Sequence, residues 1–152
     1  MPKFSVYYNP EEISELCDKS PYNLKKDIKN IDKEELDKIA EEIGNEIHAG
    51  IDRSPSAVAL YWGRGRKATY AKIRVLDVVR DAGKSNGYRS IVLVDYVNNS
   101  AFLLHLYRHG HGEKDNISPS DKNALKKLVD EYVDSLENLK RISEKDFCIV
   151  NT

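Results

Sequence analysis

The sequence predicts an α+β fold, a mostly antiparallel sheet with helices packed on one face and the other face left open. Three observations lead there. Apolar residues recur at helical spacing over 33–49 and again over 118–140. Between those stretches lie three consecutive strand-like segments, 70–75, 90–94 and 101–107. Turn residues separate the strands, which favours antiparallel neighbours with the helices layered against them. With 152 residues, 40% of them apolar and 32% charged, the chain has room for one globular domain and one proper core.

Residues 1–50 form a strand-plus-helices part. Lys3 to Tyr8 alternates Phe4, Val6 and Tyr8 with Ser5 and Tyr7, a strand pattern. Asn9-Pro10-Glu11-Glu12 is a helix start, with Asn9 as cap and Pro10 at the first helical position. Ile13, Leu16 and Cys17 give that short helix its apolar face, and it stops before Pro21. Asp32 and Glu35 make a capping box for a helix over 33–49. Its stripe is Leu36, Ile39, Ala40, Ile43 and Ile47, and Gly50 ends it. His48 beside the stripe reads as a partly buried structural histidine.

Residues 52–69 read as loop around a short apolar piece, Ala57 to Trp62. Ala71 to Val75 then alternates, with Lys72 and Arg74 on one face and Ala71, Ile73 and Val75 on the other. Gly83 to Gly87 is a turn. Ser90 to Val94 is a continuous apolar run, as a central strand buried on both faces would be. Asn98-Asn99 is a hairpin tip, since Asn tolerates positive φ. On the partner strand 101–107, alternation sets His105 and Tyr107 opposite Phe102, Leu104 and Leu106. Ser118-Pro119-Ser120-Asp121 starts the last helix, with Ala124, Leu125, Leu128, Val129, Tyr132 and Leu136 at helical spacing. Past Lys140 the periodicity fades, so 141–152 is expected to be a loosely held tail of a single domain spanning 1–152.

No apolar run is long enough to span a membrane, and residues 1–20 lack a signal-peptide layout. A cytoplasmic location is expected, with Cys17 and Cys148 as free thiols. No Cys/His spacing suggests a metal, and nothing calls for a cofactor.

Net charge is −1, but it is unevenly spread. Residues 1–60 carry 8 Lys/Arg against 13 Asp/Glu, residues 61–114 carry 10 against 4, and residues 115–152 carry 6 against 8. A basic middle between acidic ends suits a polyanion. If the strands pair as neighbours, Lys72, Arg74, Arg89 and the run Tyr107-Arg108-His109-Gly110-His111 converge. Metal-free RNA cleavage needs such parts. A base takes the 2′-hydroxyl proton, an acid protonates the leaving 5′-oxygen, and fixed cations hold the phosphorane charge. Arg74, Arg89 and Arg108 supply charge, while Tyr107, His109, His111 and Lys114 could move protons. Arg64, Arg66, Lys67, Lys72, Lys84 and Lys114 would grip the RNA backbone. His105, inside an apolar strand, reads as a packing residue. The tract from His109 to Gly112 is a weak metal signal.

Four segments occur in order: Lys72-Ile73-Arg74-Val75, Gly83-Lys84-Ser85-Asn86-Gly87-Tyr88-Arg89-Ser90-Ile91, Phe102-Leu103-Leu104-His105-Leu106-Tyr107-Arg108, and Glu113-Lys114-Asp115-Asn116-Ile117-Ser118. Together they resemble the HigB-like branch of the RelE toxin superfamily. That branch has a Lys-x-Arg strand, a Gly-Lys-Ser-Gly-Gly-x-Arg turn, a Leu-Leu-x-x-Tyr-x-Lys strand and a Glu-Lys-Asp-Asn-Leu-Ser helix start. The match covers under half of the chain. It implies a RelE-like αβ domain, the toxin of a type II toxin–antitoxin system. Such a toxin is an mRNA interferase that cuts messenger RNA on the ribosome, inhibits translation, and is neutralised by a cognate antitoxin. Arg74, Arg89, Tyr107 and Arg108 fall at the family's active-site positions. Asn86 replaces a glycine, Arg108 replaces the usual lysine, and the His109–Gly112 tract lengthens the loop. Two alternatives are a ParE-like toxin that inhibits DNA gyrase without nuclease chemistry, and a non-catalytic RNA- or protein-binding module.

Overall fold

The computed structural model describes residues 4–53, 56–75, 87–108 and 117–150, with side chains of the final helix described as far as Leu136. The elements are β1 (Ser5–Tyr7), α1 (Ser14–Lys19), α2 (Leu24–Ile28), α3 (Lys33–Ala49), β2 (Ala57–Trp62), a 3-10 turn (Arg64–Arg66), β3 (Ala68–Val75), β4 (Tyr88–Asp95), β5 (Ser100–Arg108) and α4 (Pro119–Val150). The strands form one sheet in the order β1-β5-β4-β3-β2, parallel only between β1 and β5. The α+β class and the mostly antiparallel sheet are as the sequence predicts.

Each element has a local cause. Asp32 Oδ1 accepts from the Glu35 N–H at 2.8 Å and starts α3 where the capping box places it. Gly50 ends it at φ 120°. Leu36, Ile39, Ile43 and Ile47 are buried on one stripe, each contributing roughly 1.5–3 kcal/mol of apolar transfer. His48 is exposed, so it is not the part-buried residue its position suggested. The β4–β5 hairpin turns at Asn99, φ 51°. Its anchor is the fully buried Asp95 carboxylate, which accepts from the Val97 and Asn98 N–H groups, the Asn98 side chain and the Tyr132 hydroxyl.

Three expectations change. First, helices pack on both faces. The α3 stripe lies over Ala71, Ile73, Val75, Val92 and Leu103. Leu125, Leu128, Val129 and Val133 of α4 lie over Ala68, Tyr70, Ile91, Leu93 and Leu104 on the other side. Gly63 permits that second contact, since a Cβ there would sit 2.9 Å from Val129 and 3.0 Å from Val133. Second, Ala57–Trp62 is not loop but edge strand β2, paired with β3. Third, β5 is bulged. Ile91 faces His105 and Val92 faces Leu103, which leaves Leu104 as an extra residue. The bulge breaks the expected alternation. Ala101, Leu103 and Leu106 enter the α3 core, whereas Leu104 enters the α4 core. Beyond the bulge, His105 and Tyr107 lie on the α4 face, and Arg108 pairs with Tyr88 on the α3 face.

Among the described residues no helix is long and apolar enough to cross a membrane. Cys17 is a free thiol, and Cys148 lies outside the described side chains.

Candidate functional site

Register decides which of the sequence-selected residues meet. Arg74 of β3 pairs with Arg89 of β4, and Arg89 pairs with Tyr107 of β5. Directly paired residues project to the same face with Cβ atoms about 5 Å apart, so the three make one row across the sheet. The next row on that face runs Lys72, Ile91, His105. The rows are about 6.6 Å apart at the usual strand rise. The row slopes inward from solvent. Arg74 is exposed and Lys72 half-buried, while Arg89 is 3% and Tyr107 8% exposed.

His105 is not the passive packing residue its setting suggests. Its Nδ1 lies 2.7 Å from Asp27 Oδ2, and both side chains are largely buried, 15% and 17% exposed. The same oxygen accepts the Leu106 N–H at 3.2 Å. Tyr22 stacks on the imidazole at 4.0 Å with the planes 3° apart. The Tyr107 ring is 4.8 Å away at 27°. A carboxylate accepts, so it holds the proton of a neutral imidazole on Nδ1 and leaves the Nε2 lone pair as the acceptor. Burial, reinforced by Asp121, pushes the Tyr22 phenol well above its ordinary range and keeps it neutral.

A short segment makes this cluster. Ser20 Oγ accepts the Tyr22 N–H at 3.1 Å, and Asn23 Oδ1 caps α2 by accepting the Lys26 N–H at 3.1 Å. One buried residue, Leu24, anchors α2. The helix lies along the edge of β5 beyond the three residues that β1 covers, with Asp27 reaching the strand. Sequence reasoning missed Tyr22 and Asp27. The available signals were Asn23 as a cap and a histidine embedded in an apolar strand, which needs a polar partner.

Other selected residues lie elsewhere. Arg108 is turned to the α3 face. Its Nη2 donates to the Tyr88 hydroxyl at 2.8 Å, its guanidinium lies 4.5 Å from the centre of that ring, and Tyr88 donates to Glu35 Oε1 at 3.1 Å. Convergence of Arg108 with Arg74 and Arg89 is therefore corrected, because the bulge-shifted register faces it away. Arg64, Arg66 and Lys67 precede β3, and seven residues of strand, about 23 Å, separate Lys67 from Arg74. There Arg64 pairs with Asp134 at 2.8 Å and Arg66 lies over Trp62 at 4.2 Å. Lys84, His109, His111 and Lys114 lie outside the described residues. Among the described residues no three His, Cys, Asp or Glu side chains group as a metal site would require. No family model, curated protein or solved structure matches the chain.

Proposed function

We propose that this chain is the toxin of a type II toxin–antitoxin pair, a RelE/HigB-type endoribonuclease that cuts messenger RNA on the translating ribosome and needs no metal. The observation that carries this reading is the row Arg74–Arg89–Tyr107, with Lys72 and His105 in the neighbouring row of the same face. Exposed Arg74 meets the RNA phosphate first. Arg89, in its low-dielectric setting, holds the charge that builds on the phosphorane. The Tyr107 phenol supplies a proton to the departing 5′-oxygen. Arg108 is left out of the machinery. The motif resemblance supports the same reading and adds a cytoplasmic setting with a cognate antitoxin as partner.

The test is expression of the chain alone with mapping of new RNA 5′ ends. Growth arrest, cuts in codon phase, and 2′,3′-cyclic phosphate with 5′-hydroxyl ends, unchanged by EDTA, are the expected result. Normal growth at verified soluble expression sinks the proposal. One observation favours a binding-only role of the gyrase-inhibiting kind: Arg89 and Tyr107 are both buried. Arrest with intact RNA and inhibited DNA supercoiling would select that reading.

A further inference from the structure

We infer that His105 is the general base of the proposed cleavage and that Asp27 is its positioning residue, an inference that rests on the nuclease reading above. Three independent features of the geometry lead there. The Asp27 carboxylate takes Nδ1 at 2.7 Å and so directs the lone pair to Nε2. Both ring contacts, Tyr22 at 4.0 Å and Tyr107 at 4.8 Å, fix the imidazole plane. The bulge at Leu104 turns His105 onto the face that carries Arg74, Arg89 and Tyr107. Without that extra residue His105 would face α3, away from the arginines.

In the reaction, Nε2 removes the 2′-hydroxyl proton as the O2′–P bond forms. The P–O5′ bond breaks and the 5′-oxygen takes the Tyr107 phenolic proton. The imidazolium then releases its proton to water and the Tyr107 phenolate takes one from water, which resets both groups. Asp27 stabilises the imidazolium between those events. Among the described residues, the charged and titratable groups around His105 are Asp27 and Tyr22 from the α2 segment, Tyr107 on β5, Lys72 on β3, Arg89 on β4 and, beside Tyr22, Asp121 on α4 and Tyr70 on β3. Nε2 accepts the 2′-hydroxyl proton from the neutral form of the ring.

The test is single-turnover cleavage of messenger RNA on programmed ribosomes by the full chain, from about pH 5 to about pH 9, where an imidazole titrates. Wild type is compared with His105→Gln, Asp27→Asn and Arg74→Ala, and the His105 tautomer is read by ring ¹⁵N NMR. In Asp27→Asn the side-chain carbonyl can keep both hydrogen bonds while the charge is removed. His105→Gln should slow cleavage by roughly 10²–10⁴-fold and abolish the acid limb of the rate profile. Asp27→Asn should move that limb to lower pH, which a merely structural contact would not do. Wild-type NMR should show Nδ1–H and a bare Nε2. Near wild-type rates for both variants, or an Nε2–H tautomer in wild type, overturn the role of His105 while Arg74→Ala still abolishes cleavage. Failure of the wild-type chain to cut any RNA overturns the nuclease reading and this inference with it.

Discussion

Arg74 lies directly opposite Arg89 across the β3–β4 pair, yet one is exposed and the other 3% exposed. Like charges in directly opposed positions weaken a strand pair, and an anion between them reverses the sign of that effect. Their different burial separates what each contributes. Arg74→Ala should leave the urea midpoint nearly unchanged, within about 0.5 kcal/mol, and still cost roughly 2–4 kcal/mol of transition-state stabilisation. Arg89→Ala should lose activity and also fold less stably, because it empties a buried site. Equal stabilities for the two variants would contradict the burial pattern.

Arg108→Ala offers the opposite split. Its guanidinium is engaged by Tyr88 on the α3 face. Cleavage should stay within a few-fold of wild type, while stability drops by roughly 1 kcal/mol for the lost hydrogen bond and ring contact. A large loss of cleavage at unchanged stability would return Arg108 to the site.

Gly63→Ala should destabilise the fold by roughly 1–3 kcal/mol through crowding against Val129 and Val133. Its backbone is extended, φ −73°, so no conformational strain accompanies the change. In a double-mutant cycle, Val129→Ala should recover part of the loss. Additive losses would mean that the two side chains do not meet.

Alkaline pH tests the tyrosine contacts. The hydrogen bond to Asp37 pushes the Tyr8 phenol from 10.0 up to about 12. Burial, with the Asp95 hydrogen bond, raises Tyr132. A group whose folded pKa is raised stabilises the fold below its unfolded pKa and loses that contribution as pH climbs through the folded value. Stability should therefore fall from about pH 10 upward. Tyr8→Phe and Tyr132→Phe should each flatten the decline, measured by denaturation together with tyrosinate absorbance.

Much of this was legible in the residues. Strong local signals carried α3, from its cap at Asp32 to Gly50, and the unbroken apolar run of β4 marked it as the central strand. Arg74 and Arg89 needed only neighbouring strands to meet, whereas Tyr107 joins them through the bulge in β5. Elsewhere the signals were short or distant. At five residues, α2 cannot display a helical period, and β2 was hidden by the glycines and arginines after it. A one-residue bulge leaves no mark on composition, yet it exchanges the faces of everything beyond it. An unbulged strand would set Arg108 on the face of the other arginines and keep Leu106 on the face of Leu104. Asp27 meets His105 across 78 positions of sequence, a distance that no local pattern spans.

The way α2 closes the border of β5 also bears on how separate chains stay separate. β1 pairs with only three residues of that strand, and the remaining border, rich in leucine, is shielded by a five-residue helix with a single buried anchor. Such a segment lifts at a small fraction of the free energy of global unfolding. Once it lifts, the Leu106 N–H and its neighbours are a bare template on which a second molecule can add its own strand. Loss of the Asp27 contact would thus show first as concentration-dependent aggregation under conditions where the core is still folded, with self-association, not melting, limiting the protein's useful lifetime.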